Sequence, residues 1–181
     1  YWEEARSGAL TLLDAFEDAD FVVAPSGSCV GMVKHYYPKL FQSSPELSER
    51  ARNLAEKIYE FSQFLVNVLQ AEQLGAVFPY EVAYHPSCHG SRILGVKSEP
   101  LTLLKSVEGI KLRELPGADE CCGFGGTFSV KMGAVSAGMV TSKSDAVAAS
   151  GAEVLTGLDM GCLMNIGGRM RREGKNVKVV H

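Results

Sequence analysis

Four of the five cysteines, Cys88, the adjacent Cys121 and Cys122, and Cys162, lie at the end of a short apolar run that reads as a strand, or in the turn beyond it. No other feature narrows the fold as far. Thiols from three separated turns can serve one purpose only if those turns converge, and an open sheet of parallel strands gathers its strand-to-helix turns along one edge. The spacing therefore predicts an α/β chain with its site on that edge.

Short apolar runs alternate with amphipathic stretches along the 181 residues, the pattern of an open, mostly parallel sheet with flanking helices. Strands are predicted at 21–24, 82–85, 111–115, 153–156 and 177–180. A helix is predicted from Ser44 as N-cap, with Pro45 in its first turn, to about Gln70, because Leu47, Ala51, Leu54, Ile58, Phe61, Leu65 and Val68 recur at three- and four-residue spacing. A second covers 134–149 with Gly151 as a left-handed stop, and a third runs from just after Cys162 through Arg171 to Gly174.

Residues 1–29 overlay residues 134–162 without a gap, as helix, strand, turn and cysteine, so that Cys29 falls on Cys162. Generic βα units overlay in any open sheet, but the coincident cysteine favours two pseudo-repeated βα units, the first truncated. On that reading the counterparts of Cys88, Cys121 and Cys122 lie upstream of Tyr1. The chain is then expected to be a fragment, with Cys29 the surviving ligand of a first, incomplete site.

The cysteine contexts are His-Pro-Ser-Cys-His-Gly at 85–90, Cys-Cys-Gly-Phe-Gly-Gly at 121–126 and Asp-Met-Gly-Cys at 159–162. Converging thiolates select zinc or an iron–sulfur cluster over hard cations. Gly90, Gly123, Gly125, Gly126 and Gly161 let backbone approach a bulky inorganic core and donate N–H bonds to its sulfurs. Packing alone explains Cys29 but not an adjacent pair beside Gly-Phe-Gly-Gly. His85 reads as a hydrogen-bonded structural residue rather than a ligand, His89 as either a supporting donor or a solvent-facing residue, and Asp159 as either an oxygen ligand or a helix cap.

Other classes of function are excluded on composition. A net charge of −3 argues against nucleic acid, and the cations at Arg169 to Arg172, Lys175 and Lys178 read as a solvated helix end. No run of about 18 apolar residues predicts a membrane span, and no leader is visible, which points to the cytosol. Five cysteines, two of them adjacent, make a poor disulfide framework. The glycine-rich stretch matches neither a dinucleotide nor a P-loop fingerprint. A thiol–disulfide enzyme would need the redox Cys-x-x-Cys pair that is absent here.

The runs Ser26-Gly27-Ser28-Cys29, Ser87-Cys88-His89, Cys121 to Lys131 and Gly161 to Gly168 resemble the cysteine-rich CCG family, which includes heterodisulfide reductases and the iron–sulfur subunits of glycolate oxidase, and more closely its lactate utilization protein A branch. The resemblance implies two CCG units in tandem: the C-terminal part of the first plus a connecting helix in 1–80, and the second in 81–181. It implies an iron–sulfur electron-transfer subunit, working with other subunits of a complex that oxidises L-lactate to pyruvate. The implied ligands are Cys88, Cys121, Cys122 and Cys162, with Cys29 facing them. In relatives that hold noncubane clusters through five cysteines the last two are spaced Cys-x-x-Cys, and here Asp159 stands at the first of those positions. A four-cysteine [4Fe–4S] cubane, a cluster completed by Asp159 or an external ligand, and a four-thiolate structural zinc site in a non-catalytic interaction module all remain open.

Overall fold

Two sheets of wholly parallel strands, each flanked by helices, arise from the predicted alternation; the computed structural model describes residues 1–181. The larger sheet has the order β4-β3-β5-β6, with β3 at Glu81–His85, β4 at Lys111–Arg113, β5 at Val154–Gly157 and β6 at Lys178–Val179. Its register pairs Val82 with both Leu112 and Val154, and Leu155 with Val179. Because strand side chains alternate, Ala83 and Leu155 face the helices α7 (Gly133–Ala149), which follows α5 (Glu99–Ser106) and the short α6 (Thr127–Lys131), and α8 (Met160–Arg172). They meet Val140, Val147, Leu163, Ile166 and Met170 there in one core. Gly151, at φ +70°, and Gly174, at φ +69°, take the left-handed conformation that ends α7 and α8. The third helix begins at Met160, earlier than expected, which puts Cys162 inside its first turn.

The smaller sheet corrects the sequence reading. β1 (Val22–Ala24) pairs in parallel with β2 (Ile58–Glu60), in the middle of what reads as one helix from Ser44 to Gln70. The observed α3 covers Pro45–Lys57, with Ser44 accepting from the Leu47 N–H as predicted. After β2 come a short helix α4 (Phe61–Gln63) and a π-helical stretch at Phe64–Val68. Ile58 and Phe61 keep the helical spacing, but Ile58-Tyr59 favours extended backbone and β1 offers a parallel partner. The buried Glu60 side chain then accepts from the Ser62 and Gln63 N–H groups and starts a new helix. The single open sheet expected from sequence is thus divided in two. Helices α1 (Trp2–Ala15) and α2 (Gly27–Leu40) complete a second core around Ala9, Leu13, Val22, Val30, Leu54 and Ile58.

The halves meet where α2 begins. A Cβ on Gly27 would lie 2.8 Å from Gly90 Cα and 3.3 Å from Gly90 N, in the π-helical segment His89–Leu94 that follows Cys88. Backbone cannot move aside as a side chain would. Gly27→Ala is expected to destabilise the fold by about 1–3 kcal/mol, the range for overpacked contacts, in denaturant unfolding. Gly31→Ala on the same helix is the control, since its Cβ meets only Ile93 Cγ2 at 3.6 Å. Equal behaviour of the two variants would contradict a close-packed seam.

Candidate metal centre

All five cysteines line one cavity of about 840 Å³, walled also by Phe124, Phe128, Met139, Met160 and Met164. At its floor Cys122 and Cys162 are buried, and their sulfurs and a ring nitrogen of His85 lie within 4.8 Å of one another. His85 does not take the structural role expected of it. It is 1 % exposed, neither ring nitrogen has a partner in good hydrogen-bond geometry, and its polar neighbours are the sulfurs of Cys122, whose titration it pulls down, and Cys162. Leaving such a group unpaired costs roughly 1–3 kcal/mol, and an unpaired buried polar group in a folded protein calls for an ion or ligand as its missing partner. A soft donor set of this kind fits zinc or an iron–sulfur core.

Cys88 and Cys121 form the upper part of the site. The Cys88 thiol is pushed up by burial and then by the neighbouring Cys121, and its Sγ lies 3.6 Å from Nδ1 of His89, which is exposed and so touches the thiol while facing solvent. The Gly123 N–H donates to Cys121 Sγ at 3.4 Å, a bond to the cysteine's own sulfur. Cys29 is the outlier: it lines the same cavity but is exposed. The two floor thiols divide their titration. Cys162 as donor holds the Cys122 thiol well below the ordinary thiol range, and Cys122, with burial, pushes Cys162 up.

The Cys-Cys-Gly turn is held from both covering helices. Ser136 Oγ of α7 donates to the Gly123 carbonyl at 2.7 Å, and Asn165 Nδ2 of α8 donates to the Cys122 carbonyl at 2.9 Å. Gly123 sits at φ +80°, and a Cβ there would meet Ser136 O at 2.8 Å, so glycine is required on both counts. Phe124 lies across Gly161, where a Cβ would approach its ring to 2.7 Å. The fully buried Lys143 of α7 donates to the Gly117 carbonyl and ties down the approach to the pair.

Asp159 turns out to be neither of the things expected of it. It occupies the N-cap position of α8 without making a side-chain cap, and its carboxylate is taken up by serines. Oδ1 accepts from Ser26 Oγ and Ser28 Oγ, both at 2.7 Å, and from the Ser28 N–H at 3.1 Å, while Oδ2 accepts from Ser87 Oγ. Burial pushes this carboxyl up, but the bonds from Ser87, Ser28 and Ser26 together outweigh it and leave it below the usual carboxylate range. An oxygen so occupied is a poor metal ligand. The diversion also leaves the first N–H groups of α8 uncapped beside Cys162, whereas Ser26 caps α2 at Cys29 N. Ser87 holds a left-handed φ of +58°, a strained conformation next to Cys88 that its bond to Asp159 fixes. The serine triad was not singled out from the sequence; Ser26, Ser28 and Ser87 beside cysteines were its only trace.

Burial orders the reactivity of the metal-free thiols. Iodoacetamide is expected to modify Cys29, Cys88 and Cys121 before the buried Cys122 and Cys162, as followed by peptide mass spectrometry. Early labelling of Cys162 would show that the cavity floor is open.

No helix is long and apolar enough to cross a membrane. The cysteine-rich domain family matches residues 82–167, the stretch that supplies His85 and four of the cysteines. Over all 181 residues the chain is 55 % identical to lactate utilization protein A of Oceanobacillus iheyensis, covering 74 % of that protein. It is 50 % identical to the Bacillus subtilis protein of the same name and 51 % identical to that of Geobacillus thermodenitrificans, covering 76 % and 75 % of them. Since half or more of the residues are shared along the entire chain, it belongs to the lactate utilization protein A family.

Proposed function

We propose that this chain binds an iron–sulfur cluster, of the [4Fe–4S] type, and relays electrons as a cytoplasmic subunit of a complex that oxidises L-lactate to pyruvate. The carrying observation is the convergence of Cys88, Cys121, Cys122 and Cys162 on one cavity, with the buried His85 against the two floor sulfurs. Cys88, Cys121, Cys122 and Cys162 are the proposed ligands, with Cys29 facing them from the first half. A cluster supplies reversible one-electron storage when bound. The rest is done by the chain. Thiolates neutralise the metal charge, the Gly123 N–H stabilises charge on Cys121 sulfur, and Phe124, Met160 and Met164 limit the access of water. Taking lactate to pyruvate releases two electrons and two protons, so a complex that performs it needs a carrier. The names of the relatives speak of lactate utilization, and the electron-handling part of that task suits this site.

The two-unit reading of 1–80 and 81–181 is part of the same proposal. It is supported by the separate cores, by the recurrence of helix, parallel strand and helix in α1-β1-α2 and α7-β5-α8, and by Ser26 and Asp159, which stand at the N-cap positions of equivalent helices and meet each other.

A structural zinc site is the second reading, favoured by the tight imidazole–thiolate group of His85, Cys122 and Cys162. Iron, zinc and acid-labile sulfide content of anaerobically purified protein separates the two. About four irons with matching sulfide per chain are expected. One zinc without sulfide would replace electron relay by an interaction module.

A further inference from the structure

Lys143 is the largest fully buried side chain of the molecule, at 1 % exposure, and it takes part in none of the ion pairs. Taking an ammonium out of water without a counter-charge is costly, and folded proteins pair such groups. Its hydrogen-bond partner, the Gly117 carbonyl, is neutral. We propose that Lys143 is the counter-cation of the metal centre, offsetting the negative charge of the bound cluster and raising its reduction potential. The inference rests on the metal–thiolate centre proposed above.

Helix α7 puts the charge there. Ser136, Val140, Lys143 and Val147 recur at three- and four-residue spacing and form one buried stripe. Val140 and Val147 pack in the same core as Cys122 and Cys162, while Ser136 holds the Gly123 carbonyl just after the cysteine pair. Lys143 holds the Gly117 carbonyl just before it, and the Glu120 N–H donates to the same oxygen at 2.9 Å, closing the turn that leads into Cys121. The stripe brackets the pair with a hydroxyl on one side and a cation on the other.

Two acids offer themselves as alternative partners. Burial pushes the Lys143 ammonium below its ordinary value; Glu120 and Asp119 oppose this, and then Cys122 and Cys121. Both acids are exposed, and neither forms an ion pair with Lys143, so water screens them. Cys122 is 1 % exposed and shares the dry interior with Lys143, where charge on its sulfur meets the ammonium with little screening. Four thiolates bring more negative charge than a zinc ion or an oxidised cluster core neutralises, and net charge is one of the levers on a cluster's potential.

The test compares wild type with Lys143→Met and with Lys143→Gln, which keeps an N–H for the Gly117 carbonyl but has no charge. Anaerobically prepared, loaded protein is assayed for iron, zinc and sulfide content, for midpoint potential by EPR-monitored titration and for metal release to EDTA. Both variants are expected to shift the potential to more negative values and to release metal roughly tenfold faster, the loss of one buried charge interaction. With the metal removed, both are expected to unfold in denaturant at or above the wild-type midpoint, because the uncompensated charge is gone. Glu120→Gln is expected to move none of these. A purely structural lysine predicts equal loss of stability in the metal-free and loaded proteins with the potential and release rate unmoved; that result, failure of both variants to fold without metal, or Glu120→Gln moving the potential as far as they do would each overturn the proposal. Should only the methionine variant not fold, Lys143→Gln decides alone. One zinc and no sulfide in wild type would overturn electron relay and leave the counter-charge to be decided by the release rates, whereas a wild-type protein that takes up neither metal would overturn both.

Discussion

Cys122→Ser is expected to abolish metal binding, lowering iron and sulfide at least tenfold from about four per chain in anaerobic preparations. Cys122 is the member of the site with the most fixed geometry: it is 1 % exposed, its carbonyl is held by Asn165, and its sulfur lies within 4.8 Å of ligand atoms on Cys162 and His85. A serine hydroxyl is a far poorer soft-metal ligand, and the adjacent Cys121 cannot take its place without disturbing the Ser136 and Asn165 anchors of the turn. The variant should still fold, because its core also contains Leu155, Leu163, Ile166 and Met170, so helical circular dichroism should be retained. Full metal occupancy in Cys122→Ser would remove Cys122 from the ligand set. Cys29→Ser, at the exposed margin, is expected to lower occupancy only partly.

The largest loss of stability should come from Asp159→Ala. Four hydrogen bonds converge on this one carboxylate, three of them from Ser26 and Ser28 in the first half of the chain and one from Ser87 in the second. Bonds to a charged acceptor contribute about 1.5–3 kcal/mol each and are not additive within a network, so a loss on the order of 3–5 kcal/mol is expected in denaturant unfolding. Asp159→Asn, which keeps an acceptor, should lose less. The pH dependence carries the same signature. The folded state holds the Asp159 carboxyl below its unfolded value, so its contribution is fully present above about pH 4 and is lost as pH falls through the folded value. The wild-type stability curve should therefore drop below about pH 4 more steeply than that of Asp159→Asn. Parallel curves would mean that the serines do not depend on the charge.

Much of this was legible in the residues. Strand positions at β1, β3, β4, β5 and β6 followed from short apolar runs, and the common cavity of the cysteines followed from their places at strand ends. β2 was not legible, because Leu54, Ile58, Phe61 and Leu65 continue a helical stripe and only the distant pairing partner Val22–Ala24 makes the chain extended at Ile58–Glu60. His85 was misjudged for a related reason. A histidine at a strand end is usually satisfied by nearby oxygen or nitrogen groups, and only the packed sheet shows that its polar neighbours are the Cys122 and Cys162 sulfurs. Asp159 was misjudged because its partners are 131 and 133 residues away for Ser28 and Ser26. A local cap was the shorter-range reading, and tertiary contact overrode it.

β3 is a partition wall, with Tyr84 on one side and His85 on the other. A change of residue type at Tyr84 alters the face away from the cysteines and leaves the thiols alone, and a change at His85 does the reverse. A change of length does not separate them. Inserting or deleting one residue within Glu81–His85 would turn the phenol toward the thiols and the imidazole toward the opposite face in a single step. Both faces can therefore be retuned by substitution over time, while the residue count of that strand is locked.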